Sequence, residues 1–242
     1  LNQLVSNMLA LGAAQAVITA LFVMGVVLIA RQRGIHLEKE TVIALLRGIA
    51  QVVAVGSVLL LLLSQPIWAS IPALIAMIVA AGFMGANRVK DIPGALPVSM
   101  ASIALGGGLT IVLMTLLGVI EWETSSLIPV GSMIIANTMN TTALALDRLR
   151  SEVLAHVGEI ETALALGATP KAAVRRYVQA ATEASLIPRV NSLRSLGIVW
   201  IPGLMTGMVL AGTDPVYAAI YQFVVIAMLF AAGGIGAVLS MV

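Results

Sequence analysis

Every lysine and arginine of this chain falls in one of three short intervals, separated by long apolar stretches that carry none. The first interval holds Arg31, Arg33, Lys39 and Arg47, the second Arg88 and Lys90, and the third Arg148, Arg150, Lys171, Arg175, Arg176, Arg189 and Arg194. Basic loops stay on the cytoplasmic side of a membrane while apolar stretches of about 20 residues cross it, so this segregation constrains the chain to a polytopic membrane topology. Composition agrees: of 242 residues 60% are apolar and 10% charged, too little polar surface to coat a water-exposed globule.

Windows long enough for a hydrocarbon core of about 30 Å give about seven spans. They are 8–30, 48–64, 66–87, 97–120, 127–146, 196–213 and 216–239. A charged side chain at a span centre costs about 2.5–3.5 kcal/mol on the insertion scale, and only Arg47, Asp147 and Asp214 come near a window edge. The expected fold is all-α, a polytopic transmembrane helical bundle forming one domain over 1–242. The N-terminus lies outside, the basic loops 31–47, 88–96 and 147–195 inside, and the C-terminus in the cytoplasm. The other loops carry only Glu121, Glu123 and Asp214.

The net charge of +2 originates in the inner loops, so it implies topology and contact with anionic lipid, with no nucleic-acid partner. Without cysteine there is neither a disulfide framework nor a thiolate metal site. The first apolar stretch has no preceding basic region and no small-residue cleavage site leading into a soluble domain, so it reads as a span and not as a removable signal.

One connection is long. Residues 132–157 contain neither Gly nor Pro, so the fifth span is expected to continue into the cytoplasm as one helix, with Val153, Val157, Ile160 and Leu164 on one apolar face. In Leu166-Gly167-Ala168-Thr169-Pro170, Gly167 supplies a left-handed terminator, Thr169 a cap and Pro170 a first helical position. A second amphipathic helix then places Val174, Tyr177, Val178 and Ala181 on one side, Lys171, Arg175 and Gln179 on the other, and ends near Pro188. The interval 148–194 is thus a cytoplasmic helix-turn-helix.

From Glu161 the turn reads Glu-Thr-Ala-x-x-x-Gly and resembles the E-A-A-x-x-x-G loop of ATP-binding-cassette (ABC) permeases at Glu161, Ala163 and Gly167. Thr162 departs from that pattern, and the downstream I-x-L-P has only a displaced echo in Leu186-Ile187-Pro188. A short projecting helix of this kind, with Ala168, Thr169 and Pro170 opening the next, can be gripped by an ATPase subunit and moved as a lever. No G-x-x-x-x-G-K-[ST] phosphate loop occurs, so ATP and Mg²⁺ would belong to a partner and this chain would bind no cofactor and catalyse nothing itself.

The resemblance extends through Gly131-Ser132-Met133-Ile134-Ile135-Ala136-Asn137-Thr138-Met139-Asn140-Thr141, Ala165-Leu166-Gly167-Ala168, Asn191-Ser192 and the run from Ile201-Pro202-Gly203 to Gly212-Thr213-Asp214-Pro215. These segments look like those of the FetB family, permeases that pair with the ATPase FetA. The resemblance implies a bacterial inner-membrane iron-export permease working with a FetA-like ATP-binding subunit. Related plant half-transporters are tied to aluminium tolerance, so the family's substrate is not uniform.

Asn137, Asn140 and Thr141 share one face of the fifth span, beside Thr138 and Thr142. Such groups in hydrocarbon bind other helices or line a polar path. Met205 and Met208 follow the kink expected at Pro202 and either fill packing gaps or belong to a soft-metal substrate path, and Glu121, Glu123 and Asp214 are candidate cation ligands or solvated loop charges at the outer mouth. The stripes Gly203-x-x-x-Gly207-x-x-x-Ala211 and Gly12-x-x-x-Ala16-x-x-x-Ala20 suit close helix packing within the chain or against a second copy.

Several other classes are disfavoured. The last span has no lysine for a retinal Schiff base, and no span carries His, Asp or Glu near its centre for an intramembrane enzyme or a proton-coupled carrier. His36 and His156 both lie in inner segments. The strongest rival is an ABC importer permease, because direction is not written in the motif; a seven-helix receptor ranks lower.

Overall fold

The computed structural model describes residues 2–89 and 91–241. The fold is all-α, with no β-strand among the described residues. The chain falls into two compact units, Leu1–Ser64 and Gln65–Val242.

The first unit is a helical hairpin of α1 (Asn2–Gln32) and α2 (Glu38–Leu63). Gly34, at φ +79°, permits the tight reversal, and Arg31 pairs with Glu38 at 3.2 Å across it. Glu38 and Glu40 occupy the first turn of α2 and Arg31 the last of α1, so both helix dipoles are complemented. Leu21, Phe22, Val52 and Val53 are exposed, as helices solvated by lipid require.

The second unit contains α3 (Ser70–Ala86), α4 (Ala95–Ile103), α5 (Leu109–Leu116), α6 (Thr124–Ala155), α7 (Val157–Ala165), α8 (Pro170–Ser195), α9 (Gly203–Leu210) and α10 (Pro215–Leu239). A π-turn over Ala104–Gly108 joins α4 to α5. Helix α6 is the axis, packing against α3, α8 and α10. The main core gathers Leu74, Ile103, Ile111, Ile134, Ile135, Val225 and Met228 around it, and a smaller one of Ala86, Val89, Ala95 and Leu146 lies toward the basic end.

Among the described residues five stretches are long and apolar enough to cross a membrane: Ala10–Gln32, Glu38–Val58, Ile67–Ala86, Ala95–Leu116 and Pro215–Leu239. The fifth expected span lies inside α6, whose 32 residues extend about 48 Å at 1.5 Å per residue and so outrun a 30 Å hydrocarbon core. The sixth window, 196–213, is not a continuous helix. Leu196–Trp200 forms a turn closed by Gly197 N–H donating to Trp200 O at 3.0 Å, and α9 adds only eight residues, about 12 Å. Pro202 caps α9 in an extended conformation and breaks the chain where a kink was expected.

Two further expectations are corrected. The fifth helix does not run unbroken past 155: it breaks at His156 (φ −123°, ψ 26°), which a scan for Gly and Pro could not foresee. Helix α8 does not end near Pro188 but continues to Ser195, because its inner face, Tyr177, Ala181 and Ser185, is buried and holds the helix through the missing hydrogen bond.

Close helix approach is made by glycines other than those in the two stripes. A Cβ on Gly236 would lie 2.6 Å from Thr138 Cγ2, and one on Gly106 would lie 2.8 Å from the Ala232 carbonyl oxygen. Among the described residues, a Cβ on Gly12, Gly203 or Gly207 would meet nothing within 4 Å.

Candidate functional site

Three regions contain the candidate residues: an elbow at the Ala155 end of α6, a polar seam midway along it, and a cavity at its Thr124 end.

At the elbow, α7 is a short helix that follows α6 across the one-residue break at His156. His156, at the break, stacks on Tyr177 of α8 with ring centroids 4.8 Å apart, and its Nδ1 lies 2.9 Å from the Glu152 carbonyl oxygen. Tyr177 donates to Glu159 Oε2 at 3.2 Å, and Glu159 also pairs with Arg176. These contacts clamp α7 to α8. Beyond them the turn forms as its residues dictate: Gly167 has φ +90°, Thr169 accepts from Ala172 N–H at 3.3 Å, and Pro170 opens α8. Glu161, Ala163, Gly167, Ala168, Thr169 and Pro170 are thus brought together on one projection, with Glu161 exposed and Ala163 and Ala168 half-buried. Leu166 is 84% exposed, and a cleft of about 820 Å³ beside it is lined by Gly158, Thr162, Ala168, Ala172 and Tyr177.

In the seam, Asn137, Thr138, Thr141 and Thr142 are buried against the glycine face of α10. Asn137 Nδ2 donates to Leu229 O at 2.5 Å, and a Cβ on Gly233 would come within 2.9 Å of both Asn137 Nδ2 and Thr141 Oγ1. Asn137 lies about 20 Å below Thr124 and Leu229 about 21 Å below Pro215 at 1.5 Å per residue, so α6 and α10 run parallel and in step. The amide and hydroxyl groups fill a helix contact here and do not line an open path. Asn140 separates from the group: half-buried, it accepts from Arg88 Nη1 at 2.9 Å. Arg189 Nε donates to Thr141 Oγ1 at 3.3 Å, which brings a guanidinium from α8 to the seam. Asn137 Oδ1 and Thr142 Oγ1 are buried with no hydrogen-bond partner among the described residues, so within them the seam is incompletely satisfied.

At the Thr124 end, Glu121, Ser125, Ser126, Pro129, Leu204, Met208, Tyr217 and Tyr221 enclose a cavity of about 170 Å³. Met208 belongs to this wall, whereas Met205 acts through its backbone, donating to Gln222 Oε1 at 3.2 Å. The three candidate carboxylates do not converge: Asp214 caps α10, accepting from Val216 and Tyr217 N–H at 3.0 and 2.9 Å, and Glu123 accepts from Ser125 Oγ at 3.2 Å. Among the described residues no group of three His, Cys, Asp or Glu could hold a metal ion. Sequence reading missed Gln222, fully buried in α10, although it is the one amide in the apolar run 218–232. It also missed Arg189 and the Tyr217–Tyr221 stack; their charge and aromaticity were visible but their partners were not.

Residues 13–242 match the family UPF0014, described as an uncharacterised protein family. The chain belongs to the UPF0014 family. Its UPF0014 relatives include the "UPF0014 membrane protein STAR2" of Oryza sativa subsp. japonica, 34% identical over 92% of this chain and 78% of that protein. The "Probable iron export permease protein FetB" of Escherichia coli (strain K12) is 33% identical over 88% of this chain and 83% of its own length. The "Protein ALUMINUM SENSITIVE 3" of Arabidopsis thaliana is 32% identical over 88% and 79%. No solved structure matches. Helix lengths and these UPF0014 relatives make the chain a multi-pass membrane protein.

Proposed function

We propose that this protein is the permease subunit of an ABC exporter in a bacterial inner membrane, carrying iron or another metal cation outward. ATP and Mg²⁺ would bind a separate FetA-like subunit, and two copies of this chain would complete the passage. The Ala155 end, with Arg88, Arg148, Arg150, Arg175 and Arg176, is then cytoplasmic under the positive-inside rule.

One observation carries the reading: α7 is a rigid projection, pinned through Tyr177, that presents Glu161 and an 84% exposed Leu166 beyond the packed bundle. An apolar side chain that protrudes outside the membrane is stabilised by burial in a partner. A push on α7 reaches α6 through His156 and α8 through Tyr177, and both helices border the seam. The incompletely bonded seam between α6 and α10 is where the passage opens, since a partly satisfied polar contact is cheap to exchange for water or a hydrated ion. The name of the Escherichia coli relative supports iron and the outward direction.

The test is copurification with an ATP-binding subunit, followed by metal-stimulated ATP hydrolysis in liposomes. Cells lacking this chain should accumulate iron; a lower iron content would overturn the direction and favour import. Replacing Glu161 by Lys should abolish stimulation without displacing the permease from the membrane, and normal transport by that variant would remove the elbow from the mechanism.

A further inference from the structure

The cavity at the Thr124 end has a chemistry of its own. Helix α6 carries Pro129 in its second turn, and proline has no N–H. The carbonyl oxygen of Ser125, four residues earlier, therefore loses its intrahelical donor. Ser125 and Pro129 both line the cavity, together with Glu121, Ser126, Tyr217 and Tyr221. The Glu121 carboxylate accepts from Ser126 Oγ at 3.2 Å, which holds it at the rim. Tyr217 and Tyr221 stack with centroids 6.4 Å apart, and the electron-rich faces of aromatic rings attract cations.

The N-termini of α6 and α10 both point to this end and bring partial positive charge. Asp214 neutralises that of α10 by capping it, and Glu123 sits at the N-cap position of α6. Glu121 is left as the carboxylate available to the cavity. Its opposite wall is α9, the short helix beyond the break at Pro202, with Leu204 and Met208 facing in. This half-helix is joined to α10 by the hydrogen bond from Met205 N–H to Gln222 Oε1 and packs Leu204 against the main core.

We infer that this cavity is a low-affinity site for a hard metal cation, in which the Glu121 carboxylate and the Ser125 carbonyl oxygen released by Pro129 are the principal ligands. Carboxylate, carbonyl and hydroxyl oxygens suit such ions, and a single carboxylate makes for weak binding. Weak binding is what a site of release requires. The inference deepens the exporter reading by locating its exit, and rests on that reading only for direction.

The test uses the purified full chain in nanodiscs, without ATP or an ATP-binding subunit, and Tb³⁺ as the hard-cation probe, its emission excited through nearby aromatic rings. Saturable emission is expected, with Glu121→Gln weakening binding about tenfold through the lost charge. Pro129→Ala, which returns an N–H to the Ser125 carbonyl, should weaken it about threefold. Glu123→Gln and Asp214→Asn should bind as the parent does. Absence of saturable emission, or parental affinity in either Glu121→Gln or Pro129→Ala, overturns the site. Unchanged iron content in cells lacking the chain, with Tb³⁺ binding intact, would reject iron export and leave the site standing.

Discussion

The side-chain amide of Asn137 on α6 donates to the backbone carbonyl of Leu229 on α10 at 2.5 Å, and it does so beside Gly233, whose missing Cβ leaves the room. An asparagine in one helix and a glycine in another thus form one device. The amide gains a partner in a medium without water, and the glycine lets two parallel helices approach closely enough to supply it.

That device predicts which glycines matter. Gly233→Val and Gly236→Val should lower the melting temperature in detergent and cost about 1–3 kcal/mol, the usual penalty of overpacking. Gly203→Ala and Gly207→Ala meet open space and should be near neutral in the isolated chain. Melting curves of the four variants, compared with the parent, check the contrast.

Asn137→Leu should destabilise by about 1 kcal/mol, the scale of an interhelical hydrogen bond in a membrane. Asn140→Leu should act differently, since it releases Arg88 and leaves Leu229 untouched. In transport assays the double variant should be inactive yet still bind the ATP-binding subunit; transport at the parental rate would reduce both residues to packing.

Tyr177→Phe keeps the stack on His156 and loses the bond to Glu159, whereas Tyr177→Ala loses both. Hydrogen exchange of residues 157–165 should accelerate strongly in the alanine variant and slightly in the phenylalanine variant. Stimulated ATP hydrolysis should fall in the same order.

Asp214→Ala should cost about 1 kcal/mol in stability by uncapping α10, and leave metal-stimulated hydrolysis unaltered. Asp214→Asn, which still caps, should restore the melting temperature. A loss of stimulation in both variants would return Asp214 to the substrate path.

The elbow shows how far local chemistry reaches. Gly167, Thr169 and Pro170 terminate, cap and start helices by rules acting over four residues, and all three do so here. The break at His156 could not be read in the same way, because it rests on Tyr177 and on Glu159 paired with Arg176, contacts that exist only once α8 has folded back. The glycine stripes have a related limit: spacing identifies a face that permits close approach, but it does not name the helix that approaches.

By itself the sequence determined that the chain is helical, that it lives in a membrane, which segments are basic, and where the elbow turns. All of these follow from hydropathy, charge and backbone preference, which act locally or through the solvent. The tertiary structure decided that the sixth window is a turn at 196–200 and a half-helix, that Asp214 is a cap, that the polar face of α6 is sealed by α10, and that Glu121, Ser125 and Tyr221 share a cavity. Each of these depends on which surfaces meet, and in lipid, where apolar burial gives no direction, that is settled by the fit of small residues and the pairing of polar groups.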